Sequence, residues 1–294
     1  IKYISVSESA FIPNRNRNVW SLLAGLSGPP GAGKSTFIEA LGKYLTAEGH
    51  KVAVLAVDPS SSTTGGSLMG DKTRMPELSR DRNAYIRPSP SGGHLGGVTR
   101  STNEAIVLCE AAGFDIILVE TIGVGQSEYN VAHMVDMFVL LIPPAGGDEL
   151  QGIKKGIVEL ADVVVVNKAD GALLPDARRI QSEYTSALKF VRRRSKIWRT
   201  KVTRVSSLKK EGIVELWKDM MQFRDVTMEE GELEVKRRKQ YQIWMWSHIE
   251  HHLLYVFKHH PKVNPSIKEM EQKVSEGIIT PGLAADYMIS KFLE

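Results

Sequence analysis

The 294-residue chain has a single cysteine, Cys109. A lone thiol excludes an intramolecular disulfide and fits a reducing compartment, and its place on an apolar helical face makes it core filler. Long apolar runs are lacking as well. Stretches such as Met137–Ile142 fall far short of the ~20 residues of a membrane-spanning helix, so the chain reads as soluble, with no membrane partner. No C-x-x-C pair, His-rich tail or internal repeat occurs. Basic excess is small, +4, and bunches at Arg192-Arg193-Arg194 and Lys236-Arg237-Arg238-Lys239. Without interleaved stacking aromatics, both runs read as solvated helix faces, and no nucleic-acid partner is expected. Hydrophobic residues at 42% and charged residues at 24% allow a sizeable core and argue against disorder. The chain opens on Ile1, not methionine, and so reads as a fragment or processed product whose targeting peptide would lie outside it.

What is present is organised around Gly28-Pro29-Pro30-Gly31-Ala32-Gly33-Lys34-Ser35-Thr36, which fits G-x-x-x-x-G-K-[ST]. An apolar run, Ser21–Leu26, precedes it as a short buried strand. Phe37, Ile38, Leu41 and Leu45 follow at helical spacing. Strand, loop and helix are the context the chemistry requires. Glycines let successive backbone N–H groups turn towards phosphate oxygens, and the helix N-terminus adds partial positive charge. Lys34 is expected to bridge the β- and γ-phosphates and the Ser35 hydroxyl to reach Mg²⁺.

Asn167-Lys168-Ala169-Asp170 follows the apolar run Val163–Val166 and fits the base-recognition pattern N-K-x-D. The Asp170 carboxylate can accept from guanine N1–H and from the exocyclic amino group, whereas adenine presents a bare acceptor at N1. GTP and GDP are therefore the expected nucleotides, with Asn167 holding the loop and Lys168 covering the base. Ser206, Ser207 and Leu208, after the next apolar run, are placed to finish the base pocket. Asp58, Asp71 and Glu120 end strands or sit in glycine-rich loops. Mg²⁺ takes one or two carboxylates and keeps several waters, so some of these three would hold metal-bound water or orient Lys34. Glu120-x-x-Gly123 stands where a γ-phosphate-sensing D-x-x-G is common. Position 124 is Val, and Gln126 is displaced by two residues, which predicts slow hydrolysis completed by a partner. The loop Gly146–Gly156 is a candidate moving element, with Lys154 as the cation it could offer.

From residue 21 to 224, apolar runs (Val52–Val57, Phe114–Val119, Met137–Ile142, Val163–Val166, Val202–Val205) alternate with helical patterns. This predicts an α/β fold with a mostly parallel sheet covered on both faces, its ligands beyond the strands' carboxyl ends. Residues 1–20 read as a tail or truncated helical segment. Residues 225–294 read as a helical extension, with one long helix over Gly231–His260 and shorter ones around Ile267–Ser275 and Pro281–Leu293. Its aromatics need burial, against the nucleotide domain or in a subunit interface. His248 and His252 share i, i+4 spacing among His251, His259 and His260, which keeps a nickel-type metal-delivery GTPase as one alternative. A small-molecule kinase with the same phosphate loop is another.

The assembled motifs closely resemble the GTPase chaperones of methylmalonyl-CoA mutase, the methylmalonic aciduria type A family. The most specific stretches are Val57–Ser61, Gly70–Met75, Ile86–Pro90, Leu95–Val98, Glu120–Glu128, Gly147–Lys154 and Lys236–Trp246. The resemblance implies a phosphate-loop GTPase of the signal-recognition-particle and MinD class, with a C-terminal helical extension that makes a homodimer. It implies slow GTP hydrolysis stimulated by the mutase, switch loops at Asp71–Met75, Gly123–Glu128 and Gly146–Lys154, and a role in gating adenosylcobalamin loading and reactivating the mutase. Stretches such as Met134–Gln151 look more like the animal branch, so the mitochondrial matrix is expected, with the bacterial cytoplasm as the alternative.

Overall fold

The computed structural model describes residues 21–57, 74–87, 95–121, 126–144, 155–191 and 194–293. Among these, seven strands form one sheet. In chain order the elements run β1 (Leu22–Ser27), α1 (Lys34–Ala47), β2 (Val52–Val57), β3 (Ala84–Arg87), α2 (Leu95–Ala111), β4 (Ile116–Thr121), α3 (Gln126–Met134), β5 (Met137–Ile142), α4 (Lys155–Leu160), β6 (Val163–Val166), α5 (Leu174–Ala187), β7 (Lys201–Arg204) and α6 (Ile213–Glu229). The strand order is β3-β2-β4-β1-β5-β6-β7, and every neighbouring pair is parallel.

Parallel neighbours need crossover connections, which put helices over the sheet and leave the central strands without a solvent face. β1, β5 and β6 are accordingly buried at every position, which is why they appear in the sequence as unbroken apolar runs. The edges differ. β7 is half-buried throughout. β3, which no apolar run marks, carries Tyr85 at 45% exposure and ends on Arg87. Helix α1 buries Phe37, Ile38, Leu41 and Leu45, and α6 buries Ile213, Leu216, Trp217, Met220 and Phe223, in the same core as β1, β2 and β5. Each such side chain contributes about 1.5–3 kcal/mol of hydrophobic stabilisation.

α1 is also pinned by charge. Asp81 accepts from Lys43 Nζ at 2.6 Å and Thr46 Oγ1 at 2.7 Å, both on α1, and from the Asn83 N–H at 3.0 Å. The Lys43 hydrogen bond, chief among these, lowers the Asp81 pKa to about 2. A depressed carboxylate contributes stability above its unfolded value, near 4, and loses it as pH falls towards 2. Asp81→Asn is therefore expected to flatten that acid limb: between pH 4 and pH 2 the urea midpoint of the wild type should fall further than that of the variant.

Past α6 come α7 (Glu232–Lys258), α8 (Ile267–Ser275) and α9 (Pro281–Leu293). The chain divides into a sheet unit that ends at Gln240 and a helical unit, Tyr241–Glu294. The division falls within α7, not after residue 224, because α6 continues through that point with Phe223 and Thr227 buried. The first turns of α7 are also held to the sheet by polar contacts. Arg237 Nε donates to Asp136 Oδ1 at 2.7 Å, Lys236 Nζ to the Asp136 carbonyl at 2.5 Å, and Gln240 Nε2 to the Val135 carbonyl at 2.7 Å. Arg237 is only 8% exposed, so its run is not wholly a solvated face. Neighbouring Arg238 is exposed and pairs with Glu234, one turn back. Within the helical unit, Val263, Met270, Ala284 and Met288 form a small core, with Phe257, Ile267, Val274, Ile279 and Phe292 packed on it. Trp246, Leu253, Leu254 and Tyr255 on α7 are each more than half exposed.

Candidate nucleotide site

All parallel strands of the sheet point their carboxyl ends one way, and the expected motifs collect there. β1 ends at Ser27 and the chain turns directly into the phosphate loop. A Cβ on Gly28 would stand 2.1 Å from the Leu141 carbonyl oxygen of β5, so only glycine lets the loop leave the sheet here. At the other end Gly33 is left-handed, φ 87°, and a Cβ there would meet Asn167 Nδ2 at 2.7 Å. Between them the Ala32 N–H donates to the Pro29 carbonyl at 3.1 Å, which curls the loop. α1 begins at Lys34 and turns the N–H groups of its first turn towards this loop. No carboxylate occupies that turn, which leaves its partial positive charge for an anion.

Lys34 Nζ donates to the Gly28 carbonyl at 2.6 Å and to the Pro29 carbonyl at 3.2 Å. Burial lowers its pKa, opposed by the carboxylates of Glu120 and Glu128 and reinforced by the cation of Arg74. Ser35 Oγ donates to Glu120 Oε1 at 3.4 Å, across from β4. A hydroxyl and a carboxylate side by side at a phosphate loop are hard oxygen donors and fit Mg²⁺.

The base-recognition residues are built against the same loop. Asn167, 1% exposed, follows β6, and its backbone N–H donates to the Ile142 carbonyl at 2.9 Å. Its side-chain Nδ2 donates to the Ala32 carbonyl at 2.9 Å, while its Oδ1 accepts from Ser207 Oγ at 2.6 Å and from the Ser207 N–H at 3.3 Å. One amide thus ties the phosphate loop to the turn after β7. Lys168 is left-handed, φ 56°, and its stem runs beside Gly33. The Ala169 N–H donates to the Val205 carbonyl at 3.1 Å. Asp170 Oδ2 accepts from the Ser206 hydroxyl, which itself accepts from the Lys209 N–H at 3.1 Å. A carboxylate has about four lone-pair sites, so one hydroxyl contact leaves Asp170 able to take two more donors. Leu208 is 79% exposed at the rim, beside the bridge that pairs Ser206 with Glu211.

The structure thus brings together Gly28–Thr36, Glu120, Asn167–Asp170 and Ser206–Leu208. Asp58, Asp71, Gly123 and Lys154 lie outside the described residues. Three further residues belong to the same region: Ser27, which no motif marks, and Thr121 and Glu128, which lie in the stretch Glu120–Glu128 without a role assigned to them from sequence. Thr121 Oγ1 donates to Ser27 Oγ at 3.1 Å, and Ser27 Oγ donates to Glu128 Oε1 at 2.7 Å, with Ser27 and Thr121 fully buried and Glu128 at 6% exposure. A hydroxyl in the last position of two adjacent buried strands is the signal that points to them. Among the described residues no group of three or more His, Cys, Asp or Glu could hold a metal ion, and no helix is long and apolar enough to cross a membrane.

Comparison with known proteins agrees with this geometry. A probable GTPase of Mycobacterium tuberculosis (strain H37Rv) is 51% identical over 265 residues, covering 90% of this chain and 79% of the relative. A mouse protein described as methylmalonic aciduria type A homolog, mitochondrial, is 63% identical over 268 residues, 91% of this chain; the chain spans 65% of that relative's length. The crystal structure of an LAO/AO transport system kinase superposes with a TM-score of 0.69 at 36% identity, covering 93% of this chain and 82% of the other. Residues 15–262 match the model of the methylmalonyl-CoA mutase-associated GTPase MeaB, and the chain belongs to that family.

Proposed function

We propose that the protein binds and slowly hydrolyses GTP, and that its nucleotide state gates adenosylcobalamin loading, protection and reactivation of methylmalonyl-CoA mutase. The observation that carries the reading is the Asn167 amide, which joins the phosphate loop to the turn of Ser206 and Ser207 and so sets Asp170 beside that loop. A triphosphate in the loop would then present its base edge to a carboxylate, a match for guanine and a mismatch for adenine. The same argument disfavours the kinase reading that the structural relative's name suggests. Support for the mutase as partner comes from the family description and from the name of the mouse relative, which also supports the mitochondrial matrix.

In this reading Lys34, whose pKa burial lowers against the opposing carboxylates of Glu120 and Glu128, binds the β- and γ-phosphate oxygens. The N–H groups of the loop and of the first turn of α1 take the remaining oxygens. Mg²⁺, held by Ser35 with Glu120, Asp58 or Asp71 as direct or water-mediated partners, supplies charge neutralisation of the phosphates when bound. Gly123 reports the γ-phosphate to α3. No glutamine follows Gly123 directly, so the attacking water is poorly held until a partner completes the site, with Lys154 as the added cation. The apolar surface of Trp246, Leu253, Leu254 and Tyr255 supports a homodimer through the helical extension.

The test is GTP turnover by the full chain, alone and with methylmalonyl-CoA mutase. Stimulation of roughly tenfold or more is expected, and Lys154→Ala should abolish it while leaving GTP affinity in place. Tight GTP binding with no stimulation would remove the mutase from the reading, and failure to bind GTP would remove the reading itself.

A further inference from the structure

A glycine in the first turn of a helix weakens it relative to alanine, so Gly156, next to the start of the short helix α4, needs a reason. The reason is Tyr129 of α3. A Cβ on Gly156 would stand 2.4 Å from the Tyr129 hydroxyl oxygen, but 3.5 Å and 3.8 Å from the ring atoms Cζ and Cε1, which is ordinary contact. One oxygen atom therefore limits how bulky α4 can be where it meets α3. Each helix stands beside a loop that the nucleotide reading uses. α3 begins just past Gly123, and its Glu128 accepts from the Ser27 hydroxyl at 2.7 Å, which ties this turn to the end of β1, where the phosphate loop starts. α4 follows Lys154 directly in the chain. Its far end is fixed, with Ile157 buried and the Leu160 carbonyl accepting from Arg194 Nη1 at 2.7 Å. Its near end, at Gly156, rests on Tyr129.

From this arrangement we infer that Tyr129 is a positioning residue: its contact with Gly156 couples α3 to α4, so that the nucleotide state felt by α3 sets the place of the helix that follows Lys154. The inference rests on the reading above, in which Gly123 reports the γ-phosphate to α3 and Lys154 is the added cation. The contact suits this work. The phenol ring is rigid and glycine presents backbone, so a displacement of one is passed to the other. Two neighbours in sequence divide the task, Glu128 holding α3 to β1 and Tyr129 bearing on α4. An added methyl at Gly156 would force the two helices apart by about 1 Å or turn the ring away, and a misplacement of about 1 Å can cost a positioned catalytic group about a hundredfold.

The test is deuterium uptake by the backbone of the full chain, once with GDP and once with the non-hydrolysable β,γ-imido analogue of GTP. In the wild type, exchange of the α4 amides is expected to differ between the two states by roughly fivefold or more, the low end of common coupling strengths. Gly156→Ala should abolish that difference in α4 while α3 keeps its own. Alanine favours the helix, so α4 itself should stay formed. Tyr129→Ala, which removes the ring without adding bulk, should abolish the difference too. Adding Tyr129→Phe to Gly156→Ala removes the clashing oxygen, leaves the new methyl 3.5 Å from Cζ and should restore it. A merely structural contact would change α4 exchange equally in both states. The coupling is overturned if α4 in the wild type does not distinguish the nucleotides, if Gly156→Ala still does, or if Tyr129→Phe brings no rescue. If the wild type binds neither nucleotide, the guanine-nucleotide reading itself fails and the coupling falls with it, an outcome distinct from the other three.

Discussion

Asp170→Ala should lower the affinity for GDP by about two to three orders of magnitude, while weak ATP binding stays within about twofold. A hydrogen bond to a charged group contributes about 1.5–3 kcal/mol, and Asp170 is placed to accept two from a guanine edge. Adenine offers no N1–H and no 2-amino group, so it has nothing to lose when the carboxylate goes. The fold should hardly notice. Asp170 is half-buried, its one side-chain partner among the described residues is Ser206, and the Ser206 hydroxyl keeps its contact with the Lys209 N–H. Isothermal titration with GDP and with ATP, beside a thermal melt, reads all three quantities. Equal loss of both nucleotides with an unchanged melt would mean that Asp170 shapes the loop without reading the base. Loss of neither would return the kinase alternative to consideration, since that reading has no use for a carboxylate here.

The legibility of this site follows from its chemistry. A phosphate cradle needs glycine where a Cβ would strike the Leu141 carbonyl or the Asn167 amide, and a guanine reader needs a carboxylate at a fixed spacing from the amide that holds its loop. Such constraints act on residue type at close sequence spacing, so they appear as patterns. Ser27 joins the same region without a pattern, and its association with Thr121 and Glu128 depends on which strand ends lie side by side. β1 pairs with β4, Leu26 opposite Glu120, and nothing in either stretch alone announces that register.

The fold shows the same divide. Strands with both faces buried are plain in the sequence because no position alternates. β3 is hidden, since an edge strand with Tyr85 exposed and Arg87 turned to the Ser101 carbonyl has no apolar signature. The unit boundary was hidden for another reason. A helix with basic residues in succession looks solvated from outside, and burial of one member depends on an acidic partner about a hundred positions earlier.

That partner gives the largest expected effect on stability. Arg237→Met should destabilise the sheet unit by about 3–5 kcal/mol, the range seen when one member of a buried ion pair is removed, and lower its melting temperature by roughly 10 °C for a unit of this size. The guanidinium donates through Nε to Asp136 Oδ1 at 2.7 Å and through one terminal nitrogen to Asp136 Oδ2 at 2.5 Å and the Ser21 carbonyl at 2.7 Å; the other reaches Glu110 Oε1 at 3.1 Å. Asp136 is fully buried and sits at the start of β5, where its Oδ2 also accepts from the Leu23 N–H at 3.0 Å. Methionine fills much of the volume but leaves that carboxylate without its cation. The Ser21 hydroxyl, already on Glu110 at 2.6 Å, cannot replace it. Adding Asp136→Asn removes the stranded charge while keeping an acceptor for Leu23, so the double variant should recover part of the loss, with a coupling of about 1–3 kcal/mol across the cycle. Because Asp136 lies before β5 and the phosphate loop follows the carboxyl end of β1, GDP affinity should be unchanged at temperatures where the variant is folded. Strict additivity in the melts would mean that the two residues do not act as a pair, whereas weakened GDP binding in a folded variant would mean that the base of the sheet is coupled to its nucleotide end.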